Sequence, residues 1–378
     1  MSHGSPAFIV FGRKANDCID WKEREERGER ILRTKESSFK ESQQSNTSIF
    51  FPFKIPFSIS LSLCLSLSSV RGESVEAFLP SFLLRALDLV RVNEKSPFQI
   101  FYSRFEAPFS SLQQGHEGRF SVYVHASKEK AIHLSRYFSN REIRSDPVIW
   151  GKISMVDAER RLLANALQDP DNQHFVLLSE SCVPLYTFDY IYDYLMNTNI
   201  SYVDCFEDPG PHGNGRYSEH MLPEIEKKDF RKGAQWFSMK RQHAVIVMAD
   251  SLYYSKFRDY CKPGFDGRNC IADEHYLPTF FNVIDPGGIA NWSVTHVDWS
   301  ERKWHPKLYK SQDITYELLK NITSVDVSVH VTSDAKKVVQ RWPCLWNGIQ
   351  RPCYLFARKF HPETLNDLLH LFANYTTI

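Results

Sequence analysis

The 378-residue sequence has almost no net charge, 46 Lys and Arg against 45 Asp and Glu leaving +1, and no polybasic run. Nucleic-acid binding needs a clustered basic surface, so no nucleic-acid partner is expected. Closely spaced cysteine knuckles with paired histidines are also missing, which argues against a zinc site. No clean membrane span is present either. The nearest stretch, residues 49–70, carries Lys54, Pro52, Pro56 and six serines, whereas a spanning helix needs about 20 mostly apolar residues. Finally, the glycines of Asp208-Pro-Gly-Pro-His212-Gly-Asn-Gly-Arg216 do not follow a strand and open a helix, so a phosphate-cradling loop is rejected.

What is there is a large globular chain, 42% hydrophobic and 14% aromatic, long enough for one large or two ordinary domains. Residues 1–95 stand apart. Lys22–Arg30 is a mixed-charge run, and residues 1–48 read as a solvated tail. The Leu-Ser alternation of 61–68 has the strand period, but a CT-dinucleotide repeat translates into the same pattern. Residues 1–95 are therefore expected to be a low-complexity segment arising from non-coding sequence; peptides from 1–70 in the purified protein would defeat that expectation. An amphipathic helix is predicted over 75–92, interrupted by Pro80.

Six of the eight cysteines lie from Cys182 onward, and Cys261/Cys270 and Cys344/Cys353 each bracket eight residues. They read as local disulfides rather than metal ligands. Sequons at Asn46, Asn199, Asn291, Asn321 and Asn374 fit an oxidising lumen.

From residue 96 a single α/β domain is expected, with strands and helices alternating clearly from about residue 114. Phe120–His125 reads as a strand and 128–138 as a helix; Ser154–Leu167 has helical spacing. Phe175–Leu178 is a short apolar run of the kind buried in a parallel sheet, and a helix follows at 188–196. Ligands of such sheets bind beyond the carboxyl ends of the strands, which directs attention to His125-Ala-Ser127 and Ser179-Glu180-Ser181.

The loop holding Asp208, His212 and Arg216 reads equally as a substrate-contacting loop or an irregular connector. A helix is predicted over 241–252. Trp292, Trp299 and Trp304 fit the core, with Trp299 also suited to stacking on a sugar ring. Arg358-Lys359 after an apolar strand is an anion site in residue type, although adjacent strand residues point to opposite faces, so one of the two is expected to reach a given ligand. Asp273-Glu274, ahead of an apolar helix, reads on its own as an acid pair at a helix N-terminus.

Trp150-Gly151 through Glu159, Leu177–Pro184, Asp208–Gly213, Lys232–Phe237, Asp273–Tyr276 and Leu355–Phe360 together resemble the plant core-2/I-branching β-1,6-N-acetylglucosaminyltransferase-like family, of glycosyltransferase family 14 type. The resemblance runs from about residue 115 to the end. It implies a GT-A-like, mixed but mostly parallel sheet flanked by helices, and inverting transfer from a UDP-sugar, N-acetylglucosamine-like, to a glycan hydroxyl in the Golgi lumen, from a type II membrane protein. It places Glu274 as the catalytic base and Lys359 on the diphosphate. Arg358, His125 and Ser127 join Lys359 as donor-side candidates, and Asp208, His212, Arg216, Trp236 and Trp299 are the acceptor-side candidates.

No metal or other cofactor is expected. Asp169-Pro-Asp171 has the D-x-D spelling of a cation site but precedes its strand, where a turn is expected. The family's apolar first strand has only a weak counterpart in 96–105, so either the N-terminal stretch of the sequence is not genuine or donor binding is impaired. The competing reading is a non-catalytic glycan-binding or scaffold protein that has lost donor binding.

Overall fold

The structure is a computed structural model that describes residues 6–12, 114–126, 133, 135–301, 303 and 305–375. The segments 75–92 and 96–105, Ser127, residues 128–132 and 134, and Trp304 lie outside the described residues. The part of the predicted 128–138 helix that is described, 135–138, is a bend and turn, with Phe138 N–H donating to Ser135 O at 3.1 Å. Met1–Ala15 and Ser96–Ile378 belong to one compact unit, which is the unit described below.

Its strands and helices in chain order are β1 (Pro6–Gly12), β2 (Phe120–Val124), α1 (Ser154–Ala166), β3 (Asn172–Ser179), β4 (Val183–Pro184), α2 (Phe188–Met196), β5 (Ser201–Asp204), β6 (Ser238–Lys240), α3 (Arg241–Ala249), α4 (Leu252–Tyr260), α5 (Ala272–Ile284), β7 (Ile289–Asn291), β8 (Thr295–Val297), α6 (Tyr316–Thr323), β9 (Val327–Val331), β10 (Val339–Pro343), β11 (Leu345–Trp346), β12 (Ile349–Gln350), β13 (Phe356–Arg358) and α7 (Leu365–Tyr375). None of the helices among the described residues is long and apolar enough to cross a membrane.

The main sheet runs β2-β1-β3-β6-β5-β7. The α/β class is as expected, but the strand directions are not. Within this sheet, among the described residues, only β5 and β7 pair in parallel; β1 is antiparallel to β2 and β3, and β6 is antiparallel to β3 and β5. The apolar run Phe175–Leu178 is buried for a different reason than parallel pairing, because β1 and β6 flank β3 on both edges and α1, α3 and α2 contact it. A buried antiparallel strand reads the same way.

The second correction concerns the N-terminus. Ala7-Phe8-Ile9-Val10-Phe11 is an uninterrupted apolar run, and it pairs residue for residue with Val124–Phe120 on one side and Leu178–His174 on the other. Residues 6–12 therefore belong to the sheet rather than to a 1–95 tail. The charged run downstream dominates a composition window and hides them. Among the described residues, Pro6–Gly12 is the strand between β2 and β3.

A further correction concerns the helix predicted over 241–252, which is broken at Asp250. The Asp250 carboxylate accepts from the Tyr253 and Tyr254 amides, opening α4. Trp292 is buried in the main core, as expected. Asn199, Asn291 and Asn321 are exposed.

Candidate active site

The carboxyl ends of β3 and β5 lie at the same end of the sheet, and the segment Lys232–Phe237 runs across them. Leu177 N–H donates to Phe237 O at 3.0 Å, and Phe206 and Lys232 exchange both backbone hydrogen bonds at 2.8 and 3.0 Å. Each residue of this segment touches a different part of the site. Gly233 N–H donates to the main-chain carbonyl of Glu274 at 2.9 Å. A Cβ at position 233 would lie 1.9 Å from Asp204 O and 2.9 Å from Pro278 Cγ, so only glycine admits this approach. Ala234 N–H donates to Asp204 Oδ2 at 2.7 Å, Gln235 Nε2 donates to Glu159 Oε1 at 3.0 Å, and the Trp236 ring lies 3.9 Å beneath the Arg358 guanidinium.

Glu274 sits in the first turn of α5 with 27% of its side chain exposed, and Arg216 Nη1 donates to its Oε2 at 2.7 Å. Arg216 also reaches His275 Nε2 at 3.4 Å, while His275 Nδ1 contacts Arg231 O at 2.7 Å. This places the proton on Nδ1 and leaves a neutral ring. Burial first, and then Arg216, push the His275 pKa well below its ordinary value. Lys232 faces Glu274, Arg216, Asp208 and Asp204, and burial lowers its pKa. The acid pair does occupy a helix N-terminus, yet its members differ. Glu274 reaches solvent, whereas Asp273 is buried with Oδ1 unpartnered.

Behind Glu274, Asp273 and Glu159 form a buried acidic pair, 7% and 3% exposed. Burial, then the Glu274 charge, raise the Asp273 pKa to about 7, and burial with Asp273 raises that of Glu159. The native Asp273 carboxyl thus holds a proton that an unfolded chain releases near about 4. The native state binds more protons in that window, so its stability falls as pH rises from about 4 to about 7. Asp273→Asn is expected to reduce that slope and to raise Tm at pH 8 above that of the unsubstituted protein, which thermal unfolding across pH 4–8 checks.

The basic pair stands on the other side of Trp236. Arg358 ends β13, which pairs in parallel with β8, Arg358 opposite Val297. Burial lowers the pKa of both Arg358 and Lys359, and Arg358 Nε is buried without a hydrogen-bond partner. Both cations bear on the carboxyl of Glu180 at the end of β3. Lys359 lies one residue beyond the end of β13. The turn after β3 is closed on itself: Ser179 and Ser181 hydroxyls meet at 3.0 Å, and Ser181 O accepts from Phe360 N–H.

The remaining candidates separate by position. His125, at the end of β2, is fully buried with neither ring nitrogen partnered, and burial lowers its pKa. Trp236 lies under Arg358 and so belongs to the basic side rather than to an open acceptor face. Trp299, two residues past β8, is 52% exposed. Asp208 is buried, and both its carboxylate oxygens are taken by Gly210 and Ser333. It orders its loop instead of facing an acceptor. His212 is exposed, and its amide is held by Ser333. Of the five acceptor-side candidates, Arg216 is the one whose side chain reaches Glu274. Asp169-Pro-Asp171 forms the expected turn, Asp169 Oδ1 accepting from Asp171 N–H, at the opposite end of β3 from Ser179. Glu159 and Gln235 are parts of the site that sequence reasoning missed. A carboxylate at a core-facing position of α1 was the available signal.

Two disulfides join Cys261 to Cys270 and Cys344 to Cys353, as the spacing indicates. The first closes the loop that leads into α5. Cys261→Ser/Cys270→Ser is expected to lose about 2–3 kcal/mol of stability through the freed loop entropy, measured by denaturant unfolding.

Acidic and basic side chains thus gather around the Lys232–Phe237 segment at the carboxyl ends of β3 and β5. Residues 102–323, more than half of the chain, match the family model described as Branch: Core-2/I-Branching enzyme. A similar protein is Glycosyltransferase BC10 of Oryza sativa subsp. japonica, 36% identical over 324 residues that cover 77% of each chain. The chain belongs to the core-2/I-branching enzyme family and is a glycosyltransferase. Membership implies a nucleotide-sugar donor and a glycan acceptor.

Proposed function

We propose that the protein transfers an N-acetylglucosamine-like sugar from a UDP-sugar to a glycan hydroxyl with inversion. Glu274 removes the acceptor proton as that oxygen attacks the anomeric carbon. The bond from that carbon to the diphosphate oxygen breaks, its electron pair leaves with UDP, and Lys359 and Arg358 meet the charge. The observation that carries this reading is the Lys232–Phe237 segment, which touches Glu274 at Gly233 and Arg358 at Trp236. Three residues of extended chain span at most about 11 Å, so base and cations can serve one donor.

With Arg358 and Lys359 both beside the end of β3, the reaction runs without a divalent cation, and Asp169 and Asp171 keep their role in a turn. The two disulfides suit a lumenal, oxidising setting such as the Golgi. The test is UDP release from a panel of UDP-sugars with glycan acceptors, with and without EDTA. Turnover of a UDP-N-acetylhexosamine that persists in EDTA is the expected result. Glycan binding without affinity for any UDP-sugar would favour a scaffold protein. Loss in EDTA with return in Mn²⁺ would overturn the metal-independent step.

A further inference from the structure

We infer that the β9–β10 hairpin is a positioning element for Glu274, acting from a distance through the loop that carries Arg216. The inference rests on the reading of Glu274 as the base.

The hairpin tip orders itself first. Thr332 N–H donates to Val338 O at 3.0 Å, Val338 N–H donates back to Thr332 Oγ1 at 2.8 Å, and Thr332 Oγ1 donates to Asp334 Oδ1. It then grips the 207–216 loop at several points. Ser333 N–H donates to Asp208 Oδ1 at 2.8 Å, its hydroxyl donates to Asp208 Oδ2 at 2.7 Å, and the same hydroxyl accepts from His212 N–H at 2.9 Å. Gln340 Nε2 donates to Glu207 O at 3.2 Å. A Cβ at Gly210 would lie 2.2 Å from Asp334 N, so loop and hairpin backbones are in direct contact there.

From Asp208 the order passes along the loop to Arg216. Asp208 O accepts Asn214 N–H at 2.7 Å, Gly210 O accepts the Gly213 and Gly215 amides, and Gly213 O accepts Arg216 N–H at 2.8 Å. Arg216 then holds Glu274 at 2.7 Å. A second grip serves the other side of the base. His330, stacked on Phe206 at 4.3 Å, contacts Asp204 Oδ1 through Nε2 at 2.6 Å, and Asp204 Oδ2 fixes Ala234, next to the glycine that binds the Glu274 carbonyl. Ser333 and His330 touch neither Glu274 nor Arg216, so they are positioning residues. Their effect on turnover must pass through the groups they hold.

A double-mutant cycle between Ser333→Ala and Arg216→Ala tests this, with kcat as the readout and UDP affinity by calorimetry as a check that each variant folds. Ser333→Ala alone is expected to lower kcat about tenfold or more through misplacement of the base, and Ser333→Thr, which keeps the hydroxyl, to restore most of it. In the Arg216→Ala background the same change is expected to cost less than about twofold. Equal losses in both backgrounds, or no loss in the unsubstituted protein, would overturn the inference. His330→Gln against His330→Leu repeats the comparison at the second grip, the glutamine amide keeping a donor toward Asp204. A separate Glu274→Gln measurement distinguishes failure of this inference from failure of the reading beneath it: full turnover by that variant would remove the base itself.

Discussion

Glu274→Gln is expected to lower kcat by about 10²–10⁴-fold, the usual contribution of a positioned general base, while UDP affinity stays within about twofold. The substitution is close to isosteric, so the ion-paired geometry with Arg216 becomes a neutral hydrogen bond and α5 keeps its first turn. What is lost is the ability to take a proton. The Gly233 contact is to the main-chain carbonyl and survives, so the segment carrying Trp236 stays in place. Measuring UDP release at saturating donor and acceptor, together with UDP titration, separates the lost chemistry from lost binding. A variant that binds UDP weakly and turns over normally would assign Glu274 to the donor.

Lys359→Ala is expected to differ from Glu274→Gln in losing UDP affinity as well, with kcat falling by about 10²–10³-fold, as when one donor to a developing oxyanion is removed. The double variant Arg358→Ala/Lys359→Ala should lose more than either alone. Both cations are already partly desolvated, and Arg358 Nε has no hydrogen-bond partner. Glu180 is one carboxyl set against two cations, and on the proposed reading the donor diphosphate would supply the further negative charge. Lys359→Arg tests geometry against charge, since a planar fork does not replace a point charge. Unchanged UDP affinity in the double variant would place the diphosphate elsewhere.

Parts of this arrangement are legible in sequence because short-range patterns decide them. Helical spacing gives α1, the run 188–196 gives α2, and the apolar run 175–178 gives β3. The eight-residue spacing of the cysteine pairs marks loops small enough to close locally. Strand direction is not legible, because a strand flanked on both edges and covered by helices shows the same apolar run whichever way its neighbours point. β1 was hidden for a compositional reason, seven residues with an apolar centre ahead of a charged run. The Arg216–Glu274 pair joins residues 58 apart, and the grip of Ser333 on Asp208 joins residues 125 apart. Local patterns carry no information on such contacts. Gln235 and Glu159 meet for the same reason, as neighbours only once Lys232–Phe237 crosses the sheet end.

Direct displacement with Glu274 as the base makes one demand on the product. NMR of the glycan formed from an α-linked UDP-sugar should show only the β-linkage, accumulating about 10²–10⁴-fold more slowly with Glu274→Gln. An α-linked product, or a β-linked product formed at the same rate by Glu274→Gln, would contradict it.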